Sequence, residues 1–356
     1  MATSTQVRTR TTPGQPSNRT SFLFHRFELL LVFCLTFSSR AAERPIPVIL
    51  DTDIGTDVDD AYALVLAARS PQIDLRAVTT VYSNVSVRSA IARKLLLLMG
   101  KDHVPVAAGR TNAFDGHAPF WGGWEGKGIL AEGEKVSGIS ALSAAELIAK
   151  VLLESEEKVV VVSVGGLSNI AMALQKNGSL RSRIARFVIM GGSLNPILIE
   201  GKEIPERFET NLRNDVEAAR IVLESGVRIT LVPAEVTFRT KLLNPDLDRI
   251  RHFPTPVAKA MAAMTAEWEP RLKQFMATFG VSSYYSDGTV MLHDPLAVAT
   301  LVEPNVVTTE QRRIRIAVEK GNIRTIADPA GPILIEVVTS ADIARLSNLV
   351  TAKVVQ

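Results

Sequence analysis

Four short apolar runs, each followed at once by a polar or glycine-rich turn, constrain this chain more than any other feature. Val48-Ile49-Leu50 runs into Asp51-Thr52-Asp53, and Thr79-Thr80-Val81 leads through Tyr82-Ser83 to Asn84. The valine-rich stretch 158–164 ends in Gly165-Gly166-Leu167-Ser168-Asn169, and Val188-Ile189-Met190 is followed by Gly191-Gly192. Apolar residues at helical spacing fill 60–68, 87–99, 143–154, 169–175 and 216–223, while β-rich runs occupy 75–81, 104–108, 158–164, 187–190 and 227–232. An unalternating valine run reads as a strand buried on both faces. Strands separated by helices predict a mainly parallel sheet with right-handed crossovers, flanked by helices: one α/β domain with a Rossmann-like sheet. Ligands of such sheets bind beyond the carboxyl ends of the strands, so functional residues are expected in the four turns.

The chain is long enough for such a core, with 356 residues of which 46% are hydrophobic. Its net charge of +3 points at first to a nucleic-acid partner, but residues 1–41 carry five arginines against Glu28 alone. The remainder holds 35 basic and 36 acidic residues, so the basic character belongs to the tail and no nucleic-acid partner is expected. That tail reads as a secretory leader: an arginine-bearing polar segment, an apolar run at 29–37, then Ser38-Ser39-Arg40-Ala41-Ala42. The run is too short to span a bilayer, which needs about 20 residues. We therefore expect residues 1–42 to be a leader, cleaved after Ala41 or Ala42, and 43–356 to be a secreted or periplasmic domain. A retained leader would anchor the chain to a membrane. Cys34, the only cysteine, lies in the apolar run, so the mature body would hold no disulfide.

The first turn is the chemically loaded one. Residues 51–60 contain five aspartates: Asp51, Asp53, Asp57, Asp59 and Asp60. Carboxylates this dense at the end of a buried strand repel severely unless a cation neutralises them or protons are taken up. The candidate donors are all hard oxygens, which favours Ca²⁺ or Mg²⁺ over zinc. Helix capping by Asp59 or Asp60, with Asp57 solvated, would explain one or two of the five.

This aspartate-rich run, ending in Asp59-Asp60-Ala61, resembles the N-terminal signature of the inosine–uridine-type nucleoside hydrolases. Five further segments are similar in the same order: 79–84 ending in Asn84, Val164-Gly165-Gly166-Leu167-Ser168-Asn169, Val188-Ile189-Met190-Gly191-Gly192, Glu209-Thr210-Asn211, and His293-Asp294-Pro295. The resemblance implies the nucleoside hydrolase fold and hydrolysis of a ribonucleoside to ribose and free base. It implies calcium held by Asp53, Asp60, Asp294 and the carbonyl of Val164. Asp53 would also be the general base, with His293 counted beside it as catalytic, and Asp59, Asn84, Glu209 and Asn211 would bind the sugar hydroxyls. A homodimer or homotetramer is implied as well.

N-ribosyl cleavage passes through an oxocarbenium-like sugar cation. It needs an activated water, a clamp on the ribose hydroxyls, and negative charge near the sugar. The aspartates, Glu209 and the asparagines supply these. The chain also departs from the family pattern. The acidic run carries two additional residues, with Asp57 among them. The asparagine expected between Gly192 and Glu209 to meet the 5′-hydroxyl has no counterpart, with Lys202 or Glu203 nearby. Where a His-Gly segment contacts the base in relatives, this chain has 119–128 with Trp121 and Trp124, which reads as a mobile lid or a subunit contact.

Plainer readings stand beside these. Asp294-Pro295 suits a helix N-cap, Asn84 a strand end, and Asp215 the cap of the helix that follows it. Trp268, Tyr284 and Tyr285 read as core or lid aromatics, and the glycosylation sequon at Asn84 is discounted because it would modify a proposed site residue. Two other functions compete: a haloacid-dehalogenase-type phosphatase, whose first strand also ends in Asp-x-Asp, and a nucleoside or sugar binder without turnover.

Overall fold

The computed structural model describes residues 44–205, 209–281, 288–319 and 322–356. The expected leader, 1–42, and Tyr284 and Tyr285 lie outside them. The chain opens with strand β1 (Ile46–Thr52), helix α1 (Asp59–Arg69), β2 (Ile73–Thr80), α2 (Val85–Leu98) and β3 (Val106–Ala108). After a long loop come α3 (Ala144–Glu154), β4 (Val159–Ser163), α4 (Ser168–Lys176) and β5 (Ile184–Met190). A small ribbon of β6 (Ile197–Ile199) and β7 (Lys202–Ile204) precedes α5 (Val216–Leu223), β8 (Ile229–Val232) and α6 (Ala234–Thr237). Then follow β9 (Lys241–Leu242), α7 (Asn244–His252), the long α8 (Pro256–Ala277), β10 (Val290–Met291) and α9 (His293–Val302). The chain closes with β11 (Val307–Glu319), β12 (Asn322–Ala327), β13 (Ile333–Ala341) and α10 (Ile343–Val354).

Nine strands form the main sheet in the order β12-β11-β13-β8-β5-β4-β1-β2-β3. From β13 to β3 every pairing is parallel. The chain builds β1, β2 and β3 outward, then returns to lay β4 on the other side of β1. That reversal opens a crevice between the carboxyl ends of β1 and β4, where ligands of doubly wound sheets bind. The mainly parallel α/β sheet expected from the sequence is therefore present. What sequence periodicity did not reveal is the antiparallel edge of β11 and β12.

The central strands hold because both faces are covered. All of β4 is buried, and its valines pack into apolar layers on either side of the sheet. Full burial of each such side chain is worth roughly 1.5–3 kcal/mol. Helix α1 is buried from Asp59 to Ala68, so it runs through the core rather than over it. Its partner is α9, buried from Asp294 to Val302. Among the described residues, no helix is long and apolar enough to cross a membrane.

Candidate functional site

Helices α1 and α9 begin at the same place, and this brings Asp294 to a motif more than 230 residues away. None of these aspartates caps its helix. The N-cap of α1 is Val58 and that of α9 is Leu292, each without a side-chain bond, while Asp59, Asp60 and Asp294 sit inside the first turns. The capping readings of Asp59, Asp60 and Asp294 therefore give way. Asp57 does the local work, its Oδ1 accepting from the Val58 N–H at 2.5 Å and the Asp59 N–H at 3.4 Å. Two converging helix N-termini supply partial positive charge where the carboxylates gather. The Asp294 N–H donates to Asp59 Oδ2 at 3.3 Å, so the helices are stitched directly.

Asp59, Asp60 and Asp294, all buried, each offer a carboxylate oxygen within 4.8 Å of the others. Asp53, immediately after β1, lines the same cavity as these three. Burial pushes all four carboxyls above the ordinary range, and their mutual repulsion pushes Asp59, Asp60 and Asp294 further. Burial likewise raises Asp57 and Asp51, each to about 7. This donor set fits a shared hard cation: oxygens 2.3–2.6 Å from an ion lie up to roughly 5 Å apart across it. The resemblance assigned Asp59 to the sugar, but its oxygen stands within the same cluster as those of Asp60 and Asp294.

Beneath this cluster lies a residue that sequence reading missed. Arg88 on α2 is fully buried, and its guanidinium donates to the carbonyls of Tyr82 and Ile54 and to Thr56 Oγ1, at 2.9, 3.0 and 2.9 Å. Its charge favours the ionised forms of Asp53 and Asp60. No periodicity marks it, because an arginine in a helix normally faces water. Asp51 is a second support: its Oδ1 accepts from Thr79 Oγ1 at 2.5 Å and Asn169 Nδ2 at 2.9 Å, tying the ends of β1 and β2 to the start of α4. That gives the Asn169 turn a structural role.

The other predicted residues divide. Glu209 and Asn211 line the cavity. They fit because Gly191, at φ +149°, has no side chain: a Cβ there would stand 3.0 Å from Glu209 Oε1 and 3.3 Å from Asn211 Cβ. Burial raises the Glu209 carboxyl, whose Oε1 accepts from the Leu212 N–H. Val164 also lines the cavity, but its carbonyl already accepts from Asn211 Nδ2 at 2.9 Å. One acceptor direction remains on that oxygen. His293 lines the cavity with its Nδ1 2.7 Å from Thr237 Oγ1 and Phe238 edge-on at 4.7 Å. Burial lowers its ring to about 4, so it is neutral near pH 7.

Asn84 is not brought to the cluster. It is exposed and caps α2, its Oδ1 accepting from the Val87 N–H at 3.2 Å. The two residues before it, Tyr82 and Ser83, adopt left-handed backbone (φ 70° and 56°). Such strain in non-glycine residues persists only where surroundings enforce it. Here the Tyr82 ring lies against Gly166, where a Cβ would stand 2.0 Å from the ring. The cap expected for Asp215 is present, with Oδ1 accepting from the Ala218 N–H at 3.0 Å.

The acidic cluster lines a cavity of about 540 Å³ together with a set of aromatic and apolar side chains. Helix α8 contributes Trp268, Arg271, Leu272 and Phe275, a spacing of i, i+3, i+4, i+7 that places all four on one face. Such a stripe was visible in the sequence but is the ordinary mark of a core helix. The loop 119–126 adds Phe120 and Trp124. It bonds to the acidic loop: Trp124 Nε1 donates to the Thr56 carbonyl at 2.8 Å, and Glu125 accepts from Thr56 Oγ1 at 3.2 Å. Trp121, expected beside Trp124, instead lies under Arg88, whose Cζ is 5.3 Å from its ring centre.

Comparison with known proteins follows the same line. The family model for inosine-uridine preferring nucleoside hydrolases matches residues 48–348. The pyrimidine-specific ribonucleoside hydrolase RihA of Enterobacter sp. (strain 638) is 33% identical over 276 residues, 76% of this chain and 83% of its own length. RihA of Photobacterium profundum is 35% identical over 266 residues, 73% of this chain and 81% of its own. Among solved structures, the purine-preferring ribonucleoside hydrolase from Gardnerella vaginalis has a TM-score of 0.72 at 28% identity, covering 87% of this chain and 98% of that one. A plant nucleoside hydrolase, PpNRh1, gives 0.74 at 22% identity, covering 87% and 99%, a likeness of fold. With matching motifs, matching fold and a clustered acidic site, this chain belongs to the inosine-uridine preferring nucleoside hydrolase family.

Proposed function

We propose that this protein hydrolyses the N-glycosidic bond of a ribonucleoside, releasing ribose and free base. The reading is carried by one observation: Asp59, Asp60 and Asp294 converge and, with Asp53, line a cavity that aromatic side chains also line. That polarity matches a substrate with a polyhydroxylated, transiently cationic end and a flat heterocyclic end.

Calcium is the cation we infer for Asp59, Asp60, Asp294 and Asp53, with the spare lone pair of the Val164 carbonyl available to it. The support is a donor set of hard oxygens in a pocket wide enough for an irregular shell. Bound there, it would acidify a water and order the sugar diol. Asp53 takes the proton from the attacking water. Glu209 and Asn211 hold ribose hydroxyls, and the surrounding carboxylates stabilise positive charge at C1′ as the base leaves. His293, neutral and tethered to Thr237, orients the substrate.

The test measures reducing sugar released from purine and pyrimidine nucleosides, with and without a chelator, alongside phosphate released from phosphate esters. Chelator-sensitive ribose release is expected; phosphate release would favour the dehalogenase-type reading. Tight nucleoside binding with no turnover would favour the binder. Relatives similar in sequence are named for pyrimidines and a neighbour in fold for purines, so we place base choice in the aromatic wall. We also infer export through cleavage of a leader at 1–42, checked by the N-terminal sequence of the mature protein. Assembly as a homodimer or homotetramer is checked by light scattering.

A further inference from the structure

We propose that Arg271, held over the ring of Trp124, stabilises the base as it departs with its bonding electrons. The inference rests on the cavity being a ribonucleoside site, and it concerns the end of that cavity to which no catalytic group has been assigned.

Heterolysis of the C1′–N bond leaves the electron pair on the base nitrogen, while water oxygen bonds C1′ and its proton passes to Asp53. The departing base is then an anion whose charge spreads over its ring and carbonyl oxygens, until solvent protonates it on release. A cation or hydrogen-bond donors at its edge lower that barrier. Among the described residues lining the cavity, Arg271 is the one permanent cation. Its Cζ lies 4.9 Å from the Trp124 ring centre, and Glu267 at 3.3 Å restrains it from one side. Trp124 is itself fixed through Nε1 to Thr56, so the cation sits on an anchored platform.

A second observation points to the same place. Trp268 Nε1 is buried with no hydrogen-bond partner among the described residues, and Trp268 lines the cavity one helical turn before Arg271. An unpaired buried donor is costly unless a ligand completes it. Its ring centre is 6.3 Å from that of Trp124. An unpaired N–H donor and a guanidinium are therefore carried one helical turn apart on the cavity-lining face of α8, a pairing that complements a flat heterocycle gaining negative charge. The aspartates that line the same cavity complement a sugar gaining positive charge.

The experiment separates leaving-group stabilisation from mere folding by changing the leaving group. Arg271→Gln is assayed on uridine and inosine, and on 4-nitrophenyl β-ribofuranoside, whose nitrophenolate departs without assistance. We expect kcat/KM for the nucleosides to fall roughly 10- to 100-fold, as when a charge-assisted hydrogen bond to a developing charge is lost, and that for the nitrophenyl riboside to change less than about threefold. Arg271→Lys, which keeps the charge without the fork, recovers part of the loss. Trp268→Phe gives the same leaving-group pattern at about 3- to 10-fold, and provides the reading if the glutamine variant does not fold. Equal losses on both substrate classes, or none on either, overturn the role of Arg271. A wild-type protein that releases ribose from neither class overturns the underlying reaction, and this proposal with it.

Discussion

The two ends of the cavity are built on opposite principles. The acidic side gathers buried like charges beside two helix N-termini and a buried arginine, a set that a shared cation would neutralise. The aromatic end is a packed wall, stable without any ligand, in which Arg271 and the Trp268 N–H are the polar exceptions. Substitutions in the first should therefore abolish chemistry or reverse a pH response, while those in the second should change which base is released and how fast.

The largest effect is expected from Asp60→Asn combined with chelation. Asp60 sits among the clustered oxygens and accepts from Thr52. Its loss should leave no detectable turnover, and calcium should no longer raise the melting temperature of the variant. Turnover that survives both treatments would refute the metal-dependent reading. Asp53→Asn is milder: kcat falls about 10²- to 10⁴-fold, the range of a lost general base. Calcium still stabilises this variant if Asp53 serves mainly as base. Steady-state kinetics and thermal melts distinguish the two aspartates.

Burial of the carboxyls makes its own pH prediction. Asp51 and Asp57 are raised from 3.8 to about 7, chiefly by burial, so the folded protein binds protons that the unfolded chain releases. Their stabilisation is complete below about pH 4 and is lost as pH rises through about 7. For Asp51 alone this is on the order of 4 kcal/mol. Calcium-free protein should thus melt higher at pH 5 than at pH 8, and saturating calcium should flatten or invert that slope. Identical slopes with and without calcium would sink the account. Arg88→Met should cost about 3 kcal/mol by leaving the buried Tyr82 and Ile54 carbonyls unpaired and removing one donor to Thr56, read by denaturant unfolding.

The difference between the ends also decides what was legible in the sequence. The acidic end was readable because its aspartates crowd one turn after one strand, and because a parallel sheet tells which strand ends face the ligand. Even there, Arg88 was hidden, since a helical arginine carries no sign of being buried. The aromatic end was not readable: Trp268, Arg271, Leu272 and Phe275 show only a helical stripe, which any core helix shows. The antiparallel β11 and β12 escaped for a related reason, as their residues alternate with exposed arginines and follow no chemistry-bearing turn.

Asn84 is where sequence likeness and geometry part, and it gives the smallest and most discriminating prediction. Its side chain caps α2 and is exposed, and the left-handed backbone at Tyr82 and Ser83 fixes the direction in which it leaves the sheet. A cap is worth about 1 kcal/mol, so Asn84→Ala should lower stability by that amount. Turnover of nucleosides should stay within about twofold, because no contact to the sugar is removed. Asn84→Ser, another good cap, should restore the stability. If turnover instead falls a hundredfold while stability is unchanged, Asn84 must reach the ribose in the liganded enzyme. In that case the loop 82–84 rearranges on binding, and the sugar clamp extends beyond Glu209 and Asn211.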